Sequence, residues 1–101
     1  MKNLKILHVE DDEGIADLVE TYMNMEGHEV VLTLEQDEIL DHVEKKNVDI
    51  VLLDYVLPKT NGMEILKEIR KQSDIPVILL SGKKKDSIDK IRGWHLILLF
   101  E

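Results

Sequence analysis

The 101 residues suffice for one compact domain with a single core and are too few for two. With 44% hydrophobic and 34% charged residues, no apolar run near the roughly 18 residues of a membrane span, and no leader cleavage pattern in MKNLKILHVE, a cytoplasmic protein without a membrane partner is expected. Zero cysteines exclude a disulfide framework, a thiolate zinc site and a cysteine nucleophile, and a net charge of −8 disfavours direct contact with nucleic acid.

Along the chain, short apolar runs alternate with amphipathic segments. Leu4–Val9 is the first predicted strand, and it runs into Glu10-Asp11-Asp12. Ile15, Leu18, Val19 and Tyr22 then recur at helix period, and Gly27 supplies a stop signal. Met23 and Met25, with Tyr22, read as packing residues at the end of that helix. Glu29–Leu34 is a second strand, and Ile39, Leu40 and Val43 form a shorter helical stripe. The third strand, Asp49–Asp54, carries the run Ile50-Val51-Leu52-Leu53 and ends on a carboxylate. After Asn61-Gly62, a third helix follows from Met63, Ile65, Leu66 and Ile69; Ile75–Ser81 is a fourth strand, and Ser87, Ile88, Ile91 and Arg92 suggest a fourth helix.

Strands separated by helices of about 10 to 15 residues imply βαβ units and a parallel sheet covered on both faces, which explains why the strands are apolar throughout. In open sheets of this kind ligands sit outside the carboxyl ends of the strands. Those exits hold Glu10 and Asp11, Asp54, and Ser81. Taken singly, the acids have a plain explanation: Asp12 and Glu13 favour a helix N-terminus, and Asp54 caps a turn. If the first and third strands are neighbours, however, Glu10, Asp11 and Asp54 share one crevice, where their repulsion calls for a cation. Oxygen ligands without histidine or cysteine suit magnesium, which commonly binds one or two carboxylates together with phosphate oxygens. A carboxylate beside such an ion is also a competent nucleophile toward a phosphoryl group.

Together, ILHVEDDEGIADLV, DIVLLDYVLPKTNGMEILKEIR and IPVILLSG resemble the receiver domain of two-component response regulators, and the resemblance spans about residues 4 to 93. It implies a flavodoxin-like doubly wound sheet of order 2-1-3-4-5 and a single receiver domain over residues 1–101. It also implies that Asp54 is the phosphoacceptor, that Glu10, Asp11, Asp54 and the Val56 backbone carbonyl support Mg2+, and that Ser81 hydrogen-bonds the phosphoryl group and switches with it. The expected partner is a histidine kinase or phosphotransfer protein. No enzymatic activity is expected beyond the domain's own phosphorylation and dephosphorylation. Asp12 falls one place after the acidic pair and is not counted as a ligand. Pro58 and Gly62 match the loop after the phosphoacceptor, where the glycine permits a tight approach to the next helix.

The end of the chain departs from the family. Members continue into a fifth strand that exits with Lys-Pro and then into a fifth helix, whereas here RGWHLILLFE follows and no residue after Arg92 is a lysine. The domain therefore reads as C-terminally incomplete, with a truncated or altered fifth strand in Leu96–Phe100, and exposed apolar surface there is expected to promote self-association. The run Lys83-Lys84-Lys85 reads as a solvated loop, Trp94 as a shield for the core, and His8, His28, His42 and His95 show no ligand spacing. A magnesium-dependent phosphohydrolase with an aspartate nucleophile would need a second acid two residues after Asp54, where Val56 stands. The remaining alternative is a receiver-fold interaction module that phosphorylation does not switch.

Overall fold

The structure, a computed structural model, describes residues 3–81 and 95–99, with Ser81 and residues 95–99 defined by their backbone course alone. In chain order the elements are β1 (Lys5–Val9), α1 (Glu13–Met25), β2 (Glu29–Thr33), α2 (Gln36–Glu44), β3 (Ile50–Asp54), α3 (Gly62–Arg70), β4 (Val77–Ser81) and β5 (His95–Leu99). They build one sheet of order β2-β1-β3-β4-β5. Strands β2, β1, β3 and β4 run parallel, as the βαβ pattern requires, and the fold is flavodoxin-like.

Because side chains alternate along a strand, each apolar run supplies both faces of the sheet. Leu7 and Val9, Val51 and Leu53, and Val77 and Leu79 form one face, and Ile39 and Val43 of α2 and Ile65, Leu66 and Ile69 of α3 pack on it to make the main core. Ile6, His8, Leu52 and Leu80 have the opposite parity and are also buried, as are Ile15 and Ala16 of α1.

Local chemistry fixes the helix ends. Asp12 caps α1 by accepting from the Ile15 N–H at 3.0 Å, and Asn61 caps α3 by accepting from the Glu64 N–H at 3.0 Å. At the other end of α1, Gly27 takes φ +90 and its N–H donates to Asn24 O, while the His28 N–H reaches back to Met23 O. This paired closure needs a left-handed residue after the helix, which is why glycine stands there.

The helical period of α1 is real, but it overstates burial. Leu18 is 61%, Tyr22 63% and Met25 77% exposed, so Tyr22 and Met25 do not pack at the helix end as the sequence suggests. Periodicity identifies a stripe without saying how wide its cover is. Among the described residues α1 is the only helix on its face, and the contact it makes through Ile15 and Ala16 leaves the flank bearing Leu18, Tyr22 and Met25 open.

The fifth strand expected in Leu96–Phe100 is described as His95–Leu99, and it pairs with β4 antiparallel, with Ser81 opposite His95 and Val77 opposite Leu99. A parallel partner would need a crossover to the far end of the sheet, whereas here the chain rejoins the sheet at the edge it left. The predicted fourth helix at Ser87–Arg92, the lysines at 83–85 and Trp94 fall outside the described residues.

The two classes of apolar residue predict different costs. Ile69→Ala, in the core, should lower unfolding free energy in urea by about 2–5 kcal/mol, whereas Leu18→Ala should change it by no more than about 0.5 kcal/mol.

Candidate phosphoryl and metal site

The pairing of β1 with β3 places Val9 beside Leu53, so the next residues of the two strands, Glu10 and Asp54, emerge together at the carboxyl edge. Both have the parity of the α1 face. Glu10, Asp11 and Asp54 each present a carboxylate oxygen within 4.8 Å of the others. Glu10 is 2% and Asp54 0% exposed, so this is a buried site whose oxygens are crowded. At an effective dielectric of about 20, two charges at that separation repel by about 3–4 kcal/mol. A divalent cation reverses the sign of that balance, and an all-oxygen donor set fits magnesium.

Two of the acids, Glu10 and Asp54, are set by the structure around them. The Asp12 N–H donates to Glu10 Oε2 at 3.1 Å, holding the Glu10 side chain back over the β1–α1 turn. The side chain of Asp12 is engaged as the α1 cap, consistent with its exclusion as a ligand. Asp54 ends β3 opposite Leu80, and the Tyr55 N–H donates to Leu80 O at 2.7 Å, extending the β3–β4 ladder one step past the acid. Ser81 is the next residue of β4, so its backbone lies at the same edge. In the loop beyond, Val56 bridges to Asn61 and the Gly62 N–H donates to Tyr55 O at 2.8 Å, folding the segment that carries the Val56 carbonyl back against the strand exit.

An open cleft of about 290 Å³ adjoins the acids, between Glu10 and Asp11 on one side and Leu32 and Leu34 of the β2 exit on the other. A larger cleft of about 600 Å³ lies at the opposite, amino-terminal edge, near Val48 and Ile75. Although Arg70 lines it, the guanidinium donates to Ile75 O at 2.7 Å and to Ser73 O at 3.3 Å, so it serves the loop before β4. The acid cluster is therefore the better candidate for chemistry.

The sequence in this frame matches the response regulator receiver domain over residues 6–94. The chain belongs to the response regulator receiver family. Solved receiver domains share its fold. That of the Francisella response regulator 1452 is 29% identical, with a TM-score of 0.71 over 90% of this chain and 78% of that one. The BeF3-activated N-terminal receiver domain of Klebsiella pneumoniae RstA is 30% identical, with a TM-score of 0.70 over 87% and 77%. The non-phosphorylated HemR receiver domain of Leptospira biflexa is 27% identical, with a TM-score of 0.72 over 90% and 73%.

Among the described side chains of this receiver no histidine joins the three acids as a metal-ligand group. His8 is fully buried in β1, His28 Nδ1 accepts from the Leu4 N–H at 3.0 Å, and His42 pairs with Asn47 across 2.7 Å. Sequence reasoning missed the backbone N–H of Asp12 as the group that orients Glu10. The only hint was its place at the start of a helix, where N–H groups lack intrahelical partners.

Gly62 is the tightest point of the site. A Cβ there would lie 2.6 Å from Leu79 Cδ1 and 2.7 Å from the Asp54 carbonyl oxygen. Because one of those neighbours is backbone, Gly62→Ala has to displace the exit of β3, and it should destabilise the receiver by about 1–3 kcal/mol in denaturant titration.

Proposed function

We propose that this receiver domain takes a phosphoryl group from the phosphohistidine of a histidine kinase or phosphotransfer protein onto Asp54, in two-component signalling. The observation that carries the reading is the convergence of Glu10, Asp11 and Asp54 at the carboxyl edge of a receiver-family fold. One Oδ of Asp54 attacks phosphorus in line as the phosphorus–nitrogen bond breaks, and the electron pair of that bond returns to the imidazole of the donor. Glu10, Asp11, Asp54 and the Val56 carbonyl hold Mg2+, which when bound offsets negative charge on the phosphoryl oxygens. Glu10 is kept in place by the Asp12 N–H, and Asp54 by the ladder to Leu80. Ser81 hydrogen-bonds the new phosphoryl oxygens from the neighbouring strand exit and moves with them. Water later attacks phosphorus and regenerates the carboxylate, so the domain promotes only its own modification and its own reversal.

In this reading residues 1–101 act as one receiver module, placed in the cytoplasm where kinases present their phosphohistidine, and copies associate through the C-terminal region. A second reading is favoured by one observation: β5 pairs with β4 antiparallel beside Ser81, unlike the all-parallel sheet that the family resemblance implies. On that reading the fold is kept as an interaction module that phosphorylation does not switch.

Acetyl phosphate or beryllofluoride with Mg2+ tests the phosphoacceptor, and one of the solved neighbours is itself a BeF3-activated receiver. Intact mass should rise by one phosphoryl group, and the gain should vanish in Asp54→Asn and when Mg2+ is chelated. The absence of any Asp54-dependent gain or beryllofluoride binding would reject the assignment and leave the interaction module.

A further inference from the structure

We infer that β5 is a self-pairing strand: two copies of the chain join β5 to β5 antiparallel across a two-fold axis, making one continuous ten-stranded sheet. This specifies the self-association proposed above and does not depend on the chemistry at Asp54.

The sheet has two edges, and they differ. At one edge is β2, which carries Glu29 in an ion pair with Lys5 at 3.9 Å and is followed closely by Glu35, Asp37 and Glu38. Charge of this kind is how edge strands avoid unwanted pairing. At the other edge is β5, His95-Leu96-Ile97-Leu98-Leu99, paired along its whole length with β4 on one side only, among the described residues. It contains no Asp, Glu, Lys, Arg, Pro or Gly. Among the described residues nothing pairs with its outer side, and its own five residues supply no charge, proline or glycine to close the edge.

The charge of the chain selects the occupant. At −8, two copies repel over most of their surfaces, and an acid-bearing strand such as β2 would add to that repulsion. A second β5 brings no acid. Identical strands paired antiparallel are self-complementary, so the contact closes as a dimer and does not propagate. Full overlap of the five residues puts Ile97 on the axis opposite its own copy, Leu96 opposite Leu98, and His95 opposite Leu99. Every pair on the interior of that ladder is aliphatic, the kind that stabilises cross-strand contacts.

The absence of cysteine allows a direct test on the full chain. Directly opposed residues of an antiparallel pair lie about 4.5–5.5 Å apart at Cα, within disulfide range. The unmodified chain should sediment as a dimer, more tightly at higher salt as repulsion is screened. Ile97→Cys should cross-link under mild oxidation, whereas Val30→Cys on the β2 edge should not. Leu98→Lys should shift the chain to monomer, Tyr22→Lys on the exposed flank of α1 should leave it dimeric, and Asp54→Asn should dimerise as the parent does. If substitutions in β5 prevent folding, amide exchange on the unmodified chain decides, because protection at residues 95–99 should rise with protein concentration. A monomer at every concentration, or a dimer broken by Tyr22→Lys while Ile97→Cys fails to cross-link, would overturn the inference. Loss of phosphoryl uptake with an intact dimer would instead count only against the reading of Asp54.

Discussion

The site depends on the register between β1 and β3. The strands run in the same direction and pair up to Val9 beside Leu53, so their next residues leave the sheet at one point and on one face. Side chains alternate strictly along a strand, so a slip of one residue would turn Asp54 into the apolar core formed by Leu53, Ile65 and Leu79, and would bring Leu53 to the crevice. The cost of burying a carboxylate among aliphatic groups disfavours that slip, and the apolar residues on both faces disfavour it again. The acids are brought together by the same hydrogen-bonded ladder that builds the core. The fold thus holds them at a separation they would not adopt on their own.

Two helix starts then fasten the crevice from opposite faces. On the α1 side, Asp12 uses its backbone N–H to hold Glu10 and its side chain to cap the helix, so the orientation of Glu10 is tied to the first turn of α1. On the other side, Gly62 begins α3 against the carbonyl of Asp54, too close for any Cβ. The acid at the end of β3 is therefore backed by a helix that is itself anchored in the main core through Ile65, Leu66 and Ile69. The Glu10 side chain and the backbone at Asp54 are thus held by contacts outside the crevice.

Much of this was legible in the sequence because the relevant signals are local. The apolar runs of the four parallel strands, the Asn61-Gly62 start of α3 and the Gly27 stop of α1 each follow from the chemistry of a few adjacent residues, and the observed elements match them within a residue or two. The acids could be placed at strand exits by the same logic, and neighbouring strands then brought Glu10, Asp11 and Asp54 together. What the sequence could not give depended on which surfaces meet. The stripe Leu18, Tyr22 and Met25 has the period of a buried face, yet lies exposed, because burial depends on how many helices share that side of the sheet. The direction of β5 was hidden for a related reason: five apolar residues suit a parallel or an antiparallel partner equally, and the connection decides between them.

That direction links the altered end to the site. Ser81 and His95 are register partners, so the residue nominated to sense the phosphoryl group sits in the first rung of the β4–β5 pair. A displacement of Ser81 toward Asp54 would act directly on its register partner in β5. In a parallel arrangement the carboxyl end of β4 would meet the carboxyl end of its neighbour, and the preceding connection would enter from the far edge. Here the chain leaves and re-enters beside the acids. With β5 joining two copies as inferred, Asp54 on β3 would lie two strands from the dimer edge, with β4 and its Ser81 between them, so coupling could run through the backbone hydrogen bonds of β4.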